Sequence, residues 1–132
     1  MERTFAMIKP EGVSRGLIGE IIMRIERKGY QIVALQMLSL TSEMASEHYA
    51  EHVGKPFFTR IVEHISSNPV VAMILEGPDV VSEFRKMMGA TNPINALTGT
   101  IRGDFANDMS LNIIHGSDSV ESATREIKLF FK

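Results

Sequence analysis

Residues 70–76 read Val-Val-Ala-Met-Ile-Leu-Glu, six apolar side chains in a row closed by an acid. A run so short, so continuous and so rich in branched residues has the pattern of a buried strand. It is the longest uninterrupted apolar run in the chain, and it is far too short to span a bilayer. Downstream, residues 80–88 have the spacing of a helix stopped by Gly89. Upstream, a short helix over about 57–66 follows Pro56, and another, capped by Thr41 or Ser42, runs to about His52. Before these come a strand over 30–40 and an amphipathic helix over 17–28. Leu17, Ile18, Ile21, Ile22 and Ile25 recur on one side of that helix, and Gly29 ends it. Residues 9–16 read as a loop broken by Pro10 and Gly12, and residues 4–8 as a first strand.

Beyond Gly89 lies a long irregular stretch, 90–109, rich in Gly, Thr, Asn and Asp. A last short strand is expected over 112–115 and a final helix over 119–131, with Ser119 and Ser122 at its start. The core order is βαββαβ, the ferredoxin-like split βαβ arrangement of the α+β class: a four-stranded antiparallel sheet with helices packed on one face. A loop of such length in so small a fold tends to be functional or disordered. The chain of 132 residues fits one compact domain, 1–132. Its 44% hydrophobic content supports a real core, and a net charge of −2 gives no global basic footprint for nucleic acid. Without cysteine there is neither a disulfide framework nor thiolate chemistry. Met1-Glu2-Arg3 opens directly into a short apolar run with no signal-peptide pattern, so a soluble cytoplasmic protein is expected.

Chemistry concentrates near the end of the chain. In Asn112-Ile113-Ile114-His115-Gly116-Ser117-Asp118-Ser119, a histidine at a strand end is followed by glycine and small polar residues. Gly116 allows a ligand or another backbone to come close, and an imidazole is a good nucleophile near neutral pH. A hydrogen-bonded structural histidine fits the same residues. Gly99-Thr100-Ile101-Arg102-Gly103-Asp104-Phe105 offers small residues, hydroxyls and a guanidinium suited to phosphate oxygens. Arg85 and Lys86, at the end of the preceding helix, deliver two more cations. Lys9, Arg85, Thr91 and Arg102 thus converge on loop or helix-end positions. His48-Tyr49-Ala50-Glu51-His52 matches the H-x-x-E-H pattern of a zinc-protease family, but a zinc site needs a third ligand and an open position. An exposed or half-exposed helix face is the better reading of these two histidines. No P-loop and no G-x-G-x-x-G is present.

The string 112–119 resembles the active-site signature of nucleoside diphosphate kinases. The resemblance extends, in order, over 4–13, 16–29, 48–58, 66–77, 89–93 and 99–105, nearly the whole chain. It implies an enzyme that takes the γ-phosphate of a nucleoside triphosphate onto a histidine and passes it to a nucleoside diphosphate in a ping-pong cycle. By resemblance His115 is the nucleophile, through Nδ1, and Glu126 orients its ring. Lys9, Tyr49, Arg85, Thr91, Arg102 and Asn112 match positions around phosphates and sugar. Phe57 matches the aromatic that stacks on the base, and Ile61 lies near it in place of a common leucine. Gly116 belongs to the same substrate site. Mg²⁺ is the implied cofactor, held mainly by the nucleotide phosphates with no protein ligands. Nucleoside di- and triphosphates and further copies of the chain are the implied partners, with no membrane and no nucleic acid required.

Some positions depart from the family pattern. Glu11 stands where Asp is commoner, and little effect is expected from the extra methylene. Ser110-Leu111 replaces a frequent Gly-Arg pair and removes a cation, and Leu97-Thr98 stands where proline usually precedes the Gly-Thr pair. A catalytically idle nucleotide-binding relative is disfavoured because Lys9, His115 and Glu126 are all retained. A nucleic-acid module is disfavoured because no aromatic RNP-like strand motif is present.

Overall fold

The computed structural model describes residues 1–131; Lys132, the last residue of the expected domain, lies outside them. Strand β1 (Arg3–Ile8) leads into α1 (Pro10–Ser14) and α2 (Ile18–Lys28), then β2 (Gln31–Leu38), α3 (Ser42–His48) and α4 (Phe58–Ile65). Next come β3 (Val70–Glu76), α5 (Val80–Met88), α6 (Ile101–Phe105), β4 (Ile114–Gly116) and α7 (Val120–Phe130). The strands form one antiparallel sheet in the order β2-β3-β1-β4, as the βαββαβ reading requires. Among the described residues no helix is long and apolar enough to cross a membrane.

Helices cover both faces of the sheet, not one. Ala6 and Ile8 point from β1 into a core shared with Ile21, Ile25, Phe84 and Met88 of α2 and α5. Phe5 and Met7 point the other way, against Ala45, Ile65 and Phe130 of α3, α4 and α7. The reason lies in the strand sequences. Side chains alternate between faces, so the continuous apolar run in β3 and the buried run in β1 leave both faces in need of cover.

Four local readings change. Residues 9–16 are not simply a loop: Pro10 starts α1, because its fixed φ and missing N–H suit the first helical position. Helix α3 stops at His48, with the Thr41 hydroxyl accepting from the Met44 amide at 3.1 Å, and only a short 3₁₀ turn follows. The stretch 90–109 contains α6, capped by the Thr100 hydroxyl, which accepts from the Gly103 amide at 3.0 Å. The last strand begins at Ile114, because Ile113 has φ of 77°, outside any strand geometry.

Ile113 is β-branched and left-handed, a conformation that costs of order 1–3 kcal/mol and persists only when its surroundings impose it. Helix α1 imposes it. The Lys9 amide donates to the Ile113 carbonyl at 2.8 Å, and the Ile113 amide donates to Glu11 Oε2 at 3.0 Å. Glu11 Oε1 in turn takes a hydrogen bond from His64 Nε2 at 2.7 Å. Gly12 makes the approach possible: a Cβ there would lie 2.7 Å from Ile8 Cγ2 and 3.1 Å from the Ile113 carbonyl oxygen.

Burial pushes the Glu11 pKa up, but Lys9, His64 and the Ile113 amide more than offset this and hold it below the ordinary value. The stability that Glu11 contributes is therefore complete above its unfolded-state pKa and is lost as pH falls through the lower, folded one. Glu11→Ala, which strands a buried amide, is expected to cost roughly 1–3 kcal/mol in urea unfolding at neutral pH. The deficit of Glu11→Gln should shrink as the solution is acidified. A constant gap at every pH would show that the carboxylate charge plays no part.

Candidate active site

Antiparallel pairing sets His115 opposite Met7 and Gly116 opposite Ala6. Directly paired residues share a face, so His115 projects toward α3 and α7, and Gly116 turns toward α5. A Cβ on Gly116 would lie 2.8 Å from Met88 Cε and 2.9 Å from Phe84 Cδ2, so glycine lets β4 sit against α5. His115 opens into a cleft of about 540 Å³. All the residues expected at the site line it: Lys9, Tyr49, Phe57, Ile61, Arg85, Thr91, Arg102, Asn112, His115, Gly116 and Glu126. Lys86 does not; it pairs with Glu83 at 3.1 Å.

At the base of the cleft, His115 Nε2 donates to Glu126 Oε1 at 3.0 Å. The same oxygen accepts from the Ser117 hydroxyl at 2.6 Å. Burial opposes ionisation of Glu126, yet the hydrogen bonds from His115 and Ser117, together with the nearby histidines, keep its pKa below the ordinary value. An ionised carboxylate on Nε2–H fixes the ring tautomer and leaves the lone pair on Nδ1. Ser117 is 1% exposed and is occupied in orienting the carboxylate. Ser119 caps α7 by accepting from the Ser122 amide at 3.1 Å.

His48 is a correction to the sequence reading. It is 2% exposed rather than on an open helix face, and its ring meets the edge of His115 with centroids 4.7 Å apart. The chain turns inward here because α3 ends at His48. Arg125 of α7 then donates to the carbonyls of Glu47 and His48 at 3.1 and 3.4 Å, fixing that end. Among the described residues neither nitrogen of His48 has a hydrogen-bond partner, and burial lowers its pKa to about 3, so the ring is neutral. His52 lies at the cleft mouth, bonded to Lys55 at 3.0 Å and tilted against Phe57.

The cations sit at the inner end. Lys9 Nζ donates to Asn112 Oδ1 at 2.9 Å and lies 3.6 Å from Glu11; burial lowers its pKa, with Glu11 resisting. Asn112 passes the contact on, its Nδ2 donating to the Thr91 carbonyl at 3.0 Å. Arg102 is more deeply committed than a surface phosphate clamp. Its guanidinium donates to the carbonyls of Gly89, Asn112 and Ile114 at 3.0, 3.3 and 2.6 Å, tying α6 to the end of α5 and to β4. Burial, aided by Arg85, brings its pKa down to about 10, so it is charged at neutral pH. Burial, with Glu11 and Glu126 nearby, raises the Tyr49 pKa to about 12, which keeps it a phenol and a hydrogen-bond donor. Phe57 stands 41% exposed at the outer end, a flat aromatic face open to a ligand.

Two members of this cluster, His48 and Ser117, take roles that the sequence reading does not give them. Ser117 lies two residues after the signature histidine, but nothing in the string indicates that its hydroxyl turns to Glu126. His48 is visible only once the register of α3 against β4 is known.

The arrangement belongs to a class: a split βαβ domain whose last strand, at the edge of the sheet, presents a carboxylate-backed histidine to a cation-lined cleft. The chain belongs to the nucleoside diphosphate kinase family, whose model matches residues 2–132. It is 63% identical over 131 residues to the nucleoside diphosphate kinase of Moorella thermoacetica, covering 99% of this chain and 94% of that protein. To the Thermus thermophilus enzyme it is 62% identical over 132 residues, covering 100% and 96%. A Halobacterium salinarum nucleoside diphosphate kinase solved in complex with CDP superposes with a TM-score of 0.97 at 51% identity, covering 99% of this chain and 88% of that one. The activity is phosphate transfer between nucleoside triphosphates and diphosphates.

Arg102→Lys keeps a charge but cannot reach three carbonyls at once. Its expected effect is a loss of roughly 1–3 kcal/mol in urea unfolding together with a fall in turnover. Full stability would mean that the three carbonyls find water instead.

Proposed function

We propose that His115 carries the phosphate in a ping-pong cycle, with residues 1–132 acting as one catalytic domain. The observation that supports this most is the Nε2–Glu126 hydrogen bond, which leaves Nδ1 as the nitrogen with a lone pair. That lone pair attacks the γ-phosphorus of a nucleoside triphosphate. The bond to the bridging oxygen breaks, and the nucleoside diphosphate leaves. The positive charge gained by the ring is balanced by Glu126. A second diphosphate then attacks the phosphohistidine, and the electrons return to Nδ1. Such transfer asks mainly for positioning and for charge stabilisation, which Lys9, Arg85 and Arg102 supply toward phosphate, with Tyr49, Thr91 and Asn112 as hydrogen-bonding groups. Phe57, with Ile61 beneath it, offers a stacking face rather than a base-reading edge, which suits a broad choice of nucleotide.

Mg²⁺ fits this site as a companion of the nucleotide. Among the described residues the metal-competent cluster is nitrogen-rich, whereas Mg²⁺ demands oxygen ligands. When bound to the phosphates it supplies charge neutralisation. A homo-oligomer is part of the same proposal. Edge strand β2 exposes Val33, Leu35 and Met37 beside an unpaired backbone edge, the kind of surface that a second copy covers. Light scattering that gave the mass of a single chain would remove this point. A cytoplasmic location follows from free nucleotides being the substrates.

Incubation with γ-labelled ATP and Mg²⁺, without acceptor, is expected to leave an acid-labile, alkali-stable label on the chain, and any nucleoside diphosphate should discharge it. His115→Ala should fold, bind nucleotide and take no label; an exchangeable label at full rate in this variant would overturn the assignment. Glu126→Gln should label slowly.

Phe57→Ala is expected to raise KM for all nucleotides by a similar factor, equivalent to roughly 1–3 kcal/mol of stacking. A loss confined to one base would point to base reading instead.

A further inference from the structure

One nitrogen of His48, one nitrogen of His115 and one oxygen of Glu126 lie within 4.8 Å of one another at the base of the cleft. Two of these donors are already 3.0 Å apart, His115 Nε2 and Glu126 Oε1. The third residue is the buried His48, whose two nitrogens find no partner among the described residues. We propose that His48, His115 and Glu126 form a binding site for a zinc-like divalent transition ion, and that filling it switches the nucleophile off.

The donor set suits such an ion. Two imidazoles and one carboxylate with a fourth position open to the cleft is a common zinc arrangement, and it is a poor one for Mg²⁺. At zinc bond lengths of about 2.0–2.2 Å the donors around a tetrahedral ion stand about 3.3 Å apart. The His115–Glu126 pair already has that spacing, so His48 has to close by no more than about 1.5 Å. Ion binding also satisfies one of the two unpartnered nitrogens of His48.

The consequence for catalysis follows from the ring itself. A neutral imidazole has one N–H and one lone pair. When the ion takes the place of the proton on Nε2, that proton moves to Nδ1, and the lone pair that would attack phosphorus is gone. No proton or electron leaves the ring. The ion and the phosphate therefore exclude one another. This effect on activity rests on His115 being the nucleophile, whereas the binding site itself does not.

The test separates the two. Titration of the wild-type chain with Co²⁺, in the absence of nucleotide, should give saturable visible absorption at one ion per chain, and Zn²⁺ should bleach it. His48→Phe and Glu126→Gln should each weaken binding roughly tenfold or more, with folding checked by circular dichroism; His48→Gln replaces His48→Phe if the latter does not fold. His52→Gln should bind like wild type. Zn²⁺ added before labelled ATP, with Mg²⁺ in excess, should slow phosphate uptake in wild type. The proposal is overturned if folded wild type shows no saturable absorption, or if His52→Gln loses the ion while His48→Phe keeps it. Failure of the wild type to take label at all would sink the phosphohistidine reading, and the Co²⁺ titration would still decide the metal site.

Discussion

The hold of α1 on Ile113 is the constraint on which the site depends. A β-branched residue is kept at φ of 77° between the two residues that matter most, Asn112 before it and the strand of His115 after it. Were Ile113 to relax into strand geometry and β4 to slip by one residue against β1, its side chains would change faces, because alternation along a strand has a period of two. His115 would then point at α5, away from Glu126. The Lys9 amide, the Glu11 carboxylate and the close approach allowed by Gly12 prevent this from one side, and the Arg102 guanidinium secures the flanking carbonyls from the other. Glu11, which stands in place of the commoner aspartate, is engaged at both oxygens, which reach His64 and the Ile113 amide at once.

The strands and most helices could be read from the sequence because periodicity and caps are local signals. β3 and α5 match the expected bounds residue for residue, and Thr41, Gly29 and Ser119 act as the expected caps. The errors cluster where tertiary contacts decide. Pro10 was read as a breaker because the end of β1 hides the fact that a helix begins there. Residues 101–105 form a helix of one turn, too short to show a period, and its Arg102 is fixed by carbonyls from three separate segments. The second helical layer was implicit in the strands, since a run apolar at every position cannot leave one face in water.

The residues around the cleft could be named because the family resemblance names them, but their bonding could not. Arg102 illustrates the difference: a guanidinium in a glycine-rich loop suggests phosphate, yet three of its donors serve the backbone, leaving the remainder for a ligand. His48 shows the opposite case, a residue read as surface that is packed edge-on against the central histidine. Its neutrality matters for the electrostatics of the pocket. A second charged imidazole beside His115 would oppose the positive charge that the proposed phosphohistidine cycle places on that ring; burial prevents it.

The hydrogen bonds that build the cleft join distant parts of the chain. Lys9 to Asn112 spans 103 residues and Glu11 to Ile113 spans 102. Fraying of β4 from β1 would therefore dismantle the cleft along with the sheet. Ligand occupancy is in this way linked to global unfolding rather than to a loop. A nucleotide at a hundred times its dissociation constant would deepen the native basin by about 2.7 kcal/mol, so in a nucleotide-rich medium the substrate pool itself acts as a stabiliser of the enzyme.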